Sequence, residues 1–251
     1  MITFILVLLF SYLIGSIPTS IIAGRLTAGI NIREHGSKNA GATNVYRVLG
    51  LGPAIVVALV DIMKGAAAAL LIIRIQIGDP APVSMVMLQL MAGGSAVVGH
   101  IWPVFAKFKG GKGVATLIGV LIGIIPSALA AALTVWLILL FSSRIMSVAS
   151  LGAAVMLPIA TWIWESNPDG SISLELIVFA LIFCVLIFFT HRANIGRLFR
   201  GEELALGRSK AGLDKTPPPP VENAATPNIK DNVSNGSIES APETPVGEQQ
   251  E

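Results

Sequence analysis

The sequence predicts an all-α protein: a polytopic membrane helix bundle of seven transmembrane helices, with the N-terminus outside and the C-terminus cytoplasmic. Three observations predict it. Of the 251 residues, 53% are apolar and only 13% charged, with a mean hydropathy of +0.76, whereas a soluble domain carries about 25% charged residues. The apolar residues gather into runs at 2–23, 53–77, 83–104, 113–141, 145–164 and 174–190, and a helix needs roughly 20 apolar residues to cross a bilayer core of about 30 Å. The basic residues fall in alternate connections between those runs, and short basic loops are retained in the cytoplasm.

The first run lacks the basic n-region and small-residue cleavage pattern of a signal peptide, so it is expected to stay as the first span. The loop 24–52 carries Arg25, Arg33, Lys38 and Arg47, the loop 105–112 carries Lys107, Lys109 and Lys112, and the segment after 190 carries Arg192, Arg197, Arg200, Arg208 and Lys210. All three are expected in the cytoplasm. The connections 78–82 and 165–173 hold no Lys or Arg, only Asp79, Glu165 and Asp169, and are expected outside.

The run 113–141 decides the count. As a single span it would put Arg144 outside, the acidic 165–173 connection inside and the basic C-terminal segment outside, against the charge rule at every later loop. Pro126 interrupts a helix, and a break at 123–127 makes two helices of about 14 residues, roughly 21 Å each. Both are shorter than the bilayer core and must be buried among neighbours, sit obliquely or bend the membrane locally.

Residues 1–210 form the membrane body, with 15 Lys/Arg against 8 Asp/Glu, and residues 211–251 an acidic tail with 2 against 7. The tail is rich in Pro, Ser, Asn, Thr and Glu, lacks the apolar surface that offsets chain ordering, and is expected to be disordered and dispensable for chemistry. Cys184 is the single cysteine and lies in an apolar run, which excludes a disulfide framework and a cysteine metal cluster. No metal, cofactor or nucleic-acid partner is expected.

Polar residues are scarce, so their clustering is informative. In the first loop Gly36, Ser37, Asn39, Gly41, Thr43 and Asn44 suit a sharply bent backbone rich in donors, beside the cations Lys38 and Arg47. The second loop brings Gly110, Gly111, Lys112 and Gly113 to the start of an apolar helix, where backbone N–H groups, the helix dipole and a lysine favour phosphate. It is no Walker A motif: Ala106 stands where the first glycine is required, and Gly113 follows the lysine where Ser or Thr belongs. After the last run His191, Asn194 and Arg197 fall at i, i+3 and i+6, along one side of a continuing helix. Asp61 and Lys64 lie inside the second span, where an acid and a base either serve function or pair to fix helix packing. His100 ends the third span, with a structural or substrate-orienting role. Arg74 can snorkel to the outer interface. The bland alternative is that the basic loops only enforce orientation.

Taken together, the motifs GSIPTS at 15–20, GSKNAGATN at 36–44 with Arg47, DIMKG at 61–65, GHIWP at 99–103, FKGGKGVAT at 108–116 and HRANIGRLFRGEE at 191–203 resemble those of the PlsY family, in order, over residues 1 to about 205. The resemblance implies seven membrane helices with a cytoplasmic-face active site in the bacterial inner membrane. It also implies transfer of a fatty acyl group from acyl phosphate to the 1-hydroxyl of sn-glycerol 3-phosphate, giving lysophosphatidic acid and phosphate without nucleotide or coenzyme A. The implied catalytic residues are Ser37, Lys112, His191 and Asn194. Substrate binding is implied for Asn39, Thr43, Asn44, Arg47, Gly110, Gly111, Gly113 and Arg197, with Ser147 added from the weaker segment SRIMSVAS at 143–150; Glu203 is architectural, and Asp61, Lys64 and His100 are read as structural. The partners are the two small-molecule substrates, membrane lipid and an upstream enzyme that forms acyl phosphate.

The residues suit such chemistry. Acyl phosphate is a mixed anhydride with a good leaving group, so alignment and charge stabilisation are the main demands. The His-x4-Asp pair of soluble-type acyltransferases is absent, since Ala40, Phe105 and Gly196 stand five residues after His35, His100 and His191. Two other classes compete: a transporter or translocase for a phosphate-bearing molecule or lipid, with Asp61 and Lys64 lining a pathway, and a membrane scaffold acting through the acidic tail.

Overall fold

The structure is a computed structural model that describes residues 1–164 and 173–207. The expected disordered tail and nearly all of the expected external 165–173 connection lie outside the described residues. Among those described, all regular structure is helical.

The first apolar run is broken. Helix α1 (Ile2–Gly15) ends at Ser16 and α2 (Thr19–Ala28) begins after Pro18, which has no N–H to continue the hydrogen-bond ladder. A short helix α3 (Ala42–Leu49) leads through Gly50 into α4 (Leu51–Leu70), followed by α5 (Met85–Ile101). The break expected near Pro126 occurs, with α6 (Val114–Ile124) and α7 (Pro126–Ser143) meeting at Ile125. Pro126 opens α7, where its missing N–H has no intrahelical partner to lose. The two helices are unequal, with 11 and 18 residues rather than about 14 each. Helix α7 runs past the apolar stretch, with the Ser143 hydroxyl donating to Leu139 O within the last turn (2.5 Å), and it stops where Arg144 turns left-handed at φ 57°. Helices α8 (Met146–Trp164), α9 (Leu174–Thr190) and α10 (Arg192–Phe199) are the last among the described residues, α9 and α10 meeting at His191 with a 59° bend.

Five stretches are long and apolar enough to cross a membrane: Ile2–Ala28 across its break, Leu51–Arg74, Met85–Ala106, Pro126–Ser143 and Met146–Trp164. The bent pair α9–α10 makes a sixth when taken as one span. Helix α6, about 16 Å long at 1.5 Å per residue, is too short to cross alone. It is accommodated by packing backbone to backbone against α4. A Cβ on Gly65 would collide with Thr116 O, and one on Gly119 with Ile62 O. A second reciprocal pair joins α1 to α5, since Gly15 abuts Ala96 O and Gly99 abuts Tyr12 O. Small residues that let backbones approach are the usual means of helix association in lipid. The largest apolar core runs through α5 to α9, from Val97 and Val120 to Leu157 and Phe183. Large side chains such as Ile138, Phe141 and Val185 remain exposed on the outside, as a lipid-facing surface requires.

Candidate active site

Each polar loop is shaped by bonds within its own segment. In the first, Asn44 is 1% exposed and fully engaged: its Nδ2 donates to Ile32 O and His35 O (both 3.0 Å), while its Oδ1 accepts from Ser37 N–H (2.7 Å). Gly36 has φ 59° and no room for a Cβ beside the Asn44 amide, so glycine is the residue that fits this bend. The result is a loop pinned to α3, with the side chains of Ser37, Asn39 and Thr43 at the edge of a cavity.

In the second loop the N–H of Gly110 donates to Ile101 O and that of Gly111 to His100 O, both at 3.1 Å. These amides are engaged by the end of α5, and the two glycines lie outside the lining of the main cavity. Lys112 and Gly113 do line it, together with Val114 and Ala115 of the first turn of α6, whose N–H groups have no intrahelical partner.

The third segment folds back after α10. The side chain of Glu203, 5% exposed, collects Asn194 Nδ2 (2.5 Å) and Ser147 Oγ (3.0 Å) on Oε1, and Arg197 Nε (2.7 Å) on Oε2. Lys112 Nζ donates to Asn194 Oδ1 at 2.6 Å, and Arg47 Nη2 donates to Leu204 O at 3.1 Å. Helices α3, α8 and α10 and the Lys112 loop are thereby tied together around one carboxylate.

The three segments enclose a cavity of about 500 Å³. It gathers Ser37, Asn39, Thr43, Asn44, Arg47, Lys112, Gly113, Ser147, His191, Asn194, Arg197 and Glu203, with Asp61 and His100 at its inner wall. Gly110, Gly111 and Lys64 are not in that lining. His191 caps the bend between α9 and α10 rather than lying within a continuing helix, and its Nδ1 donates to Ile187 O at 2.8 Å, which in the neutral ring leaves Nε2 a lone-pair acceptor. Asn194 is engaged by Lys112 and Glu203, and Ser147 by Glu203. Among the described residues that line this space, Ser37 Oγ, Asn39, Thr43 and His191 Nε2 retain uncommitted polar atoms, while Arg47 Nε is buried without a partner.

Electrostatically the cavity is cationic, with Lys38, Arg47, Lys112 and Arg197 facing Glu203 and Asp61. Burial pushes the Lys112 ammonium down to about 8, with Glu203 opposing and Arg197 and Arg47 adding to the shift. Burial alone would raise the Glu203 carboxyl. The hydrogen bonds from Asn194, Arg197 and Ser147 outweigh it and hold the group below the usual glutamate range.

Deeper, Asp61 Oδ1 accepts from Thr19 Oγ1 (2.6 Å) and pairs with Lys64 Nζ (2.9 Å), which also donates to Ile17 O (3.2 Å) beside the Pro18 break. The sequence leaves the Asp61–Lys64 pair open between function and packing; the structure makes it an ion pair within α4, tied to α2 by the Thr19 hydroxyl. Sequence reading missed Trp136, Thr190 and Ser150, which also line the cavity. Trp136 sits in an apolar run with no local signal. Val114, Ile118, Trp136 and Ser150 also line an apolar crevice between α6, α7, α8 and α9, where Leu121, Leu157 and Phe183 lie.

Fold and site define a multi-pass membrane protein whose cationic cavity shares a wall with an apolar crevice, an arrangement matched to a ligand that is part phosphate and part lipid. The family model described as Glycerol-3-phosphate acyltransferase matches residues 5–201. The Glycerol-3-phosphate acyltransferase of Pelodictyon phaeoclathratiforme is 43% identical over 226 residues, covering 81% of this chain and 96% of the relative. That of Chlorobaculum tepidum is 43% identical over 230 residues, covering 83% and 99%. The crystal structure of PlsY (YgiH), an integral membrane glycerol 3-phosphate acyltransferase, in its glycerol 3-phosphate form superposes with a TM-score of 0.71 at 32% identity, covering 81% of this chain and 96% of that one. Its lysophosphatidic acid form gives 0.69 at 32% identity, covering 80% and 94%. The chain belongs to the glycerol-3-phosphate acyltransferase family.

Proposed function

We propose that this protein transfers a fatty acyl group from acyl phosphate to the 1-hydroxyl of sn-glycerol 3-phosphate, releasing phosphate and lysophosphatidic acid. The observation that carries this reading is the cavity in which Lys112, Arg47 and the first turn of α6 meet the uncommitted polar groups of Ser37, Asn39, Thr43 and His191. The cations and amides neutralise two phosphorylated reactants and the oxyanion that develops at the acyl carbonyl. His191 Nε2 accepts from and orients the attacking hydroxyl. The new ester C–O bond forms as the anhydride C–O bond breaks, and the leaving phosphate takes the hydroxyl proton. Asn194 acts through Lys112, and Glu203 holds Asn194, Ser147 and Arg197 in register. The apolar crevice behind Trp136 receives the acyl chain.

In this reading the basic loops lie in the cytoplasm of a bacterial inner membrane, with seven spans, the N-terminus outside and the tail 211–251 dispensable. Acyl phosphate comes from a separate upstream enzyme, and no nucleotide, coenzyme A or nucleic acid takes part. The test is a detergent assay in which purified protein is given sn-glycerol 3-phosphate with either acyl phosphate or acyl coenzyme A. Lysophosphatidic acid and phosphate are expected from acyl phosphate alone; product from acyl coenzyme A at a comparable rate would overturn the donor assignment.

A further inference from the structure

Lys112 is placed by the backbone that precedes it, and that backbone leans on a side chain outside the loop. The N–H groups of Gly110 and Gly111 are held by Ile101 O and His100 O at 3.1 Å. The space a side chain would fill at Gly111 is taken by the Nε2 edge of the His100 ring, with Ala40 O 2.7 Å away on the same side. The His100 ring, 8% exposed at the end of α5, therefore forms the wall against which residue 111 rests. The other ring nitrogen faces Asp61, with Nδ1 3.6 Å from Oδ1, and that same oxygen is oriented by the Thr19 hydroxyl at 2.6 Å. Contacts thus run unbroken from Thr19 at the start of α2, through Asp61 of α4 and His100 of α5, to the residue before Lys112.

We propose that Thr19, Asp61 and His100 form a positioning relay that sets the placement of Lys112 in the cavity. The relay rests on the reading above that Lys112 grips a substrate phosphate. Thr19 is not in the lining of the main cavity, lies on a different helix from every proposed substrate ligand, and borders a small cavity with His100, Gly110 and Gly111, while its hydroxyl is committed to Asp61. A rigid support of this kind matters because catalytic geometry must be held within about 0.5 Å.

The test uses the full-length protein in detergent with Thr19→Val, which keeps the side-chain shape and removes the hydroxyl, Thr19→Ser, which keeps the hydroxyl, and His100→Gln. The relay predicts that Thr19→Val and His100→Gln raise KM for one of the two phosphorylated substrates by about 5- to 20-fold, a loss on the scale of one weakened hydrogen bond to a charged group. The KM for the other substrate stays within twofold, and Thr19→Ser behaves as the parent protein. A fall in kcat with both KM values unchanged is the mark of lost folded enzyme, and that result, or parent-like kinetics of Thr19→Val, overturns the proposal. A binding readout keeps the two readings apart. Inorganic phosphate should protect Lys112 from an amine-reactive reagent, measured by peptide mass spectrometry, and Thr19→Val should raise the half-protecting concentration by a similar factor. Protection without turnover of acyl phosphate would count against the proposed reaction while leaving the relay intact. Protection unaltered by Thr19→Val would sink the relay.

Discussion

Two buried polar clusters lie within one helix bundle and are built on opposite plans. Around Asp61, the carboxylate is met by Lys64, Thr19 and His100, and the spare donor of Lys64 goes to Ile17 O. All three contacts fall on one oxygen, Oδ1, and the cluster joins α2, α4 and α5 at the wall of the cavity. Around Lys112 the carboxylate of Glu203 also collects three donors, and the surrounding shell keeps Ser37, Thr43 and His191 Nε2 uncommitted beside about 500 Å³ of space. Both clusters contain an acid, a base and a histidine, so residue types do not separate structure from chemistry here. What separates them is where the partners of the carboxylate lie: Thr19 and Lys64 are outside the cavity lining, whereas Ser147, Asn194 and Arg197 are all in it.

The sharpest way to break this contrast is to damage each cluster and ask what fails. Asp61→Ala leaves Lys64 as an uncompensated buried cation, and breaking such a pair costs about 3–5 kcal/mol. The expected outcome is a large drop in the unfolding midpoint of the detergent-solubilised protein, read by thermal or denaturant unfolding. Lys112→Ala, in contrast, should lower kcat/KM by about 10²- to 10³-fold, the effect of losing one charge-stabilising donor, with the unfolding midpoint within a few degrees of the parent.

Ser147 sharpens the comparison further. If its hydroxyl serves Glu203, as the 3.0 Å hydrogen bond indicates, Ser147→Ala removes one of three bonds and costs about 1 kcal/mol, roughly a fivefold loss in kcat/KM. A direct phosphate ligand would lose about 100-fold or more, so steady-state kinetics on this variant assigns the residue.

The smallest effect expected is in the pH profile. Lys112 holds its proton below about 8 in the free protein, so phosphate binding that needs the ammonium is present at neutral pH and fades as pH rises through that value. The profile of kcat/KM should therefore show an alkaline limb near 8. Lys112→Arg, whose guanidinium stays charged throughout this range, should lack that limb even with a lower plateau.

Much of the architecture is legible along the chain, because hydropathy and charge are local and periodic. The apolar runs, the break at Pro126 and the three glycine-bearing basic segments are read without knowing any contact. The break at Pro18 was open to the same reasoning, yet the unbroken hydropathy of 2–23 hid it. The site was legible as a set of residues but not as a set of roles. Gly110 and Gly111 read as phosphate-binding amides, and their N–H groups turn out to be bonded to the end of α5. Ser147 and Asn194 read as groups facing substrate; both line the cavity, and each is also bonded to Glu203, with Asn194 bonded to Lys112 as well.

The sequence by itself determined that this is a helical membrane protein of the glycerol-3-phosphate acyltransferase family, with its cations and glycines concentrated in three segments. Tertiary structure alone decided which of those groups are free. Arg47 reaches Leu204 O across 157 positions and Thr19 reaches Asp61 across 42. Whether a donor is already bonded depends on such distant partners, and only packing brings them within about 3 Å.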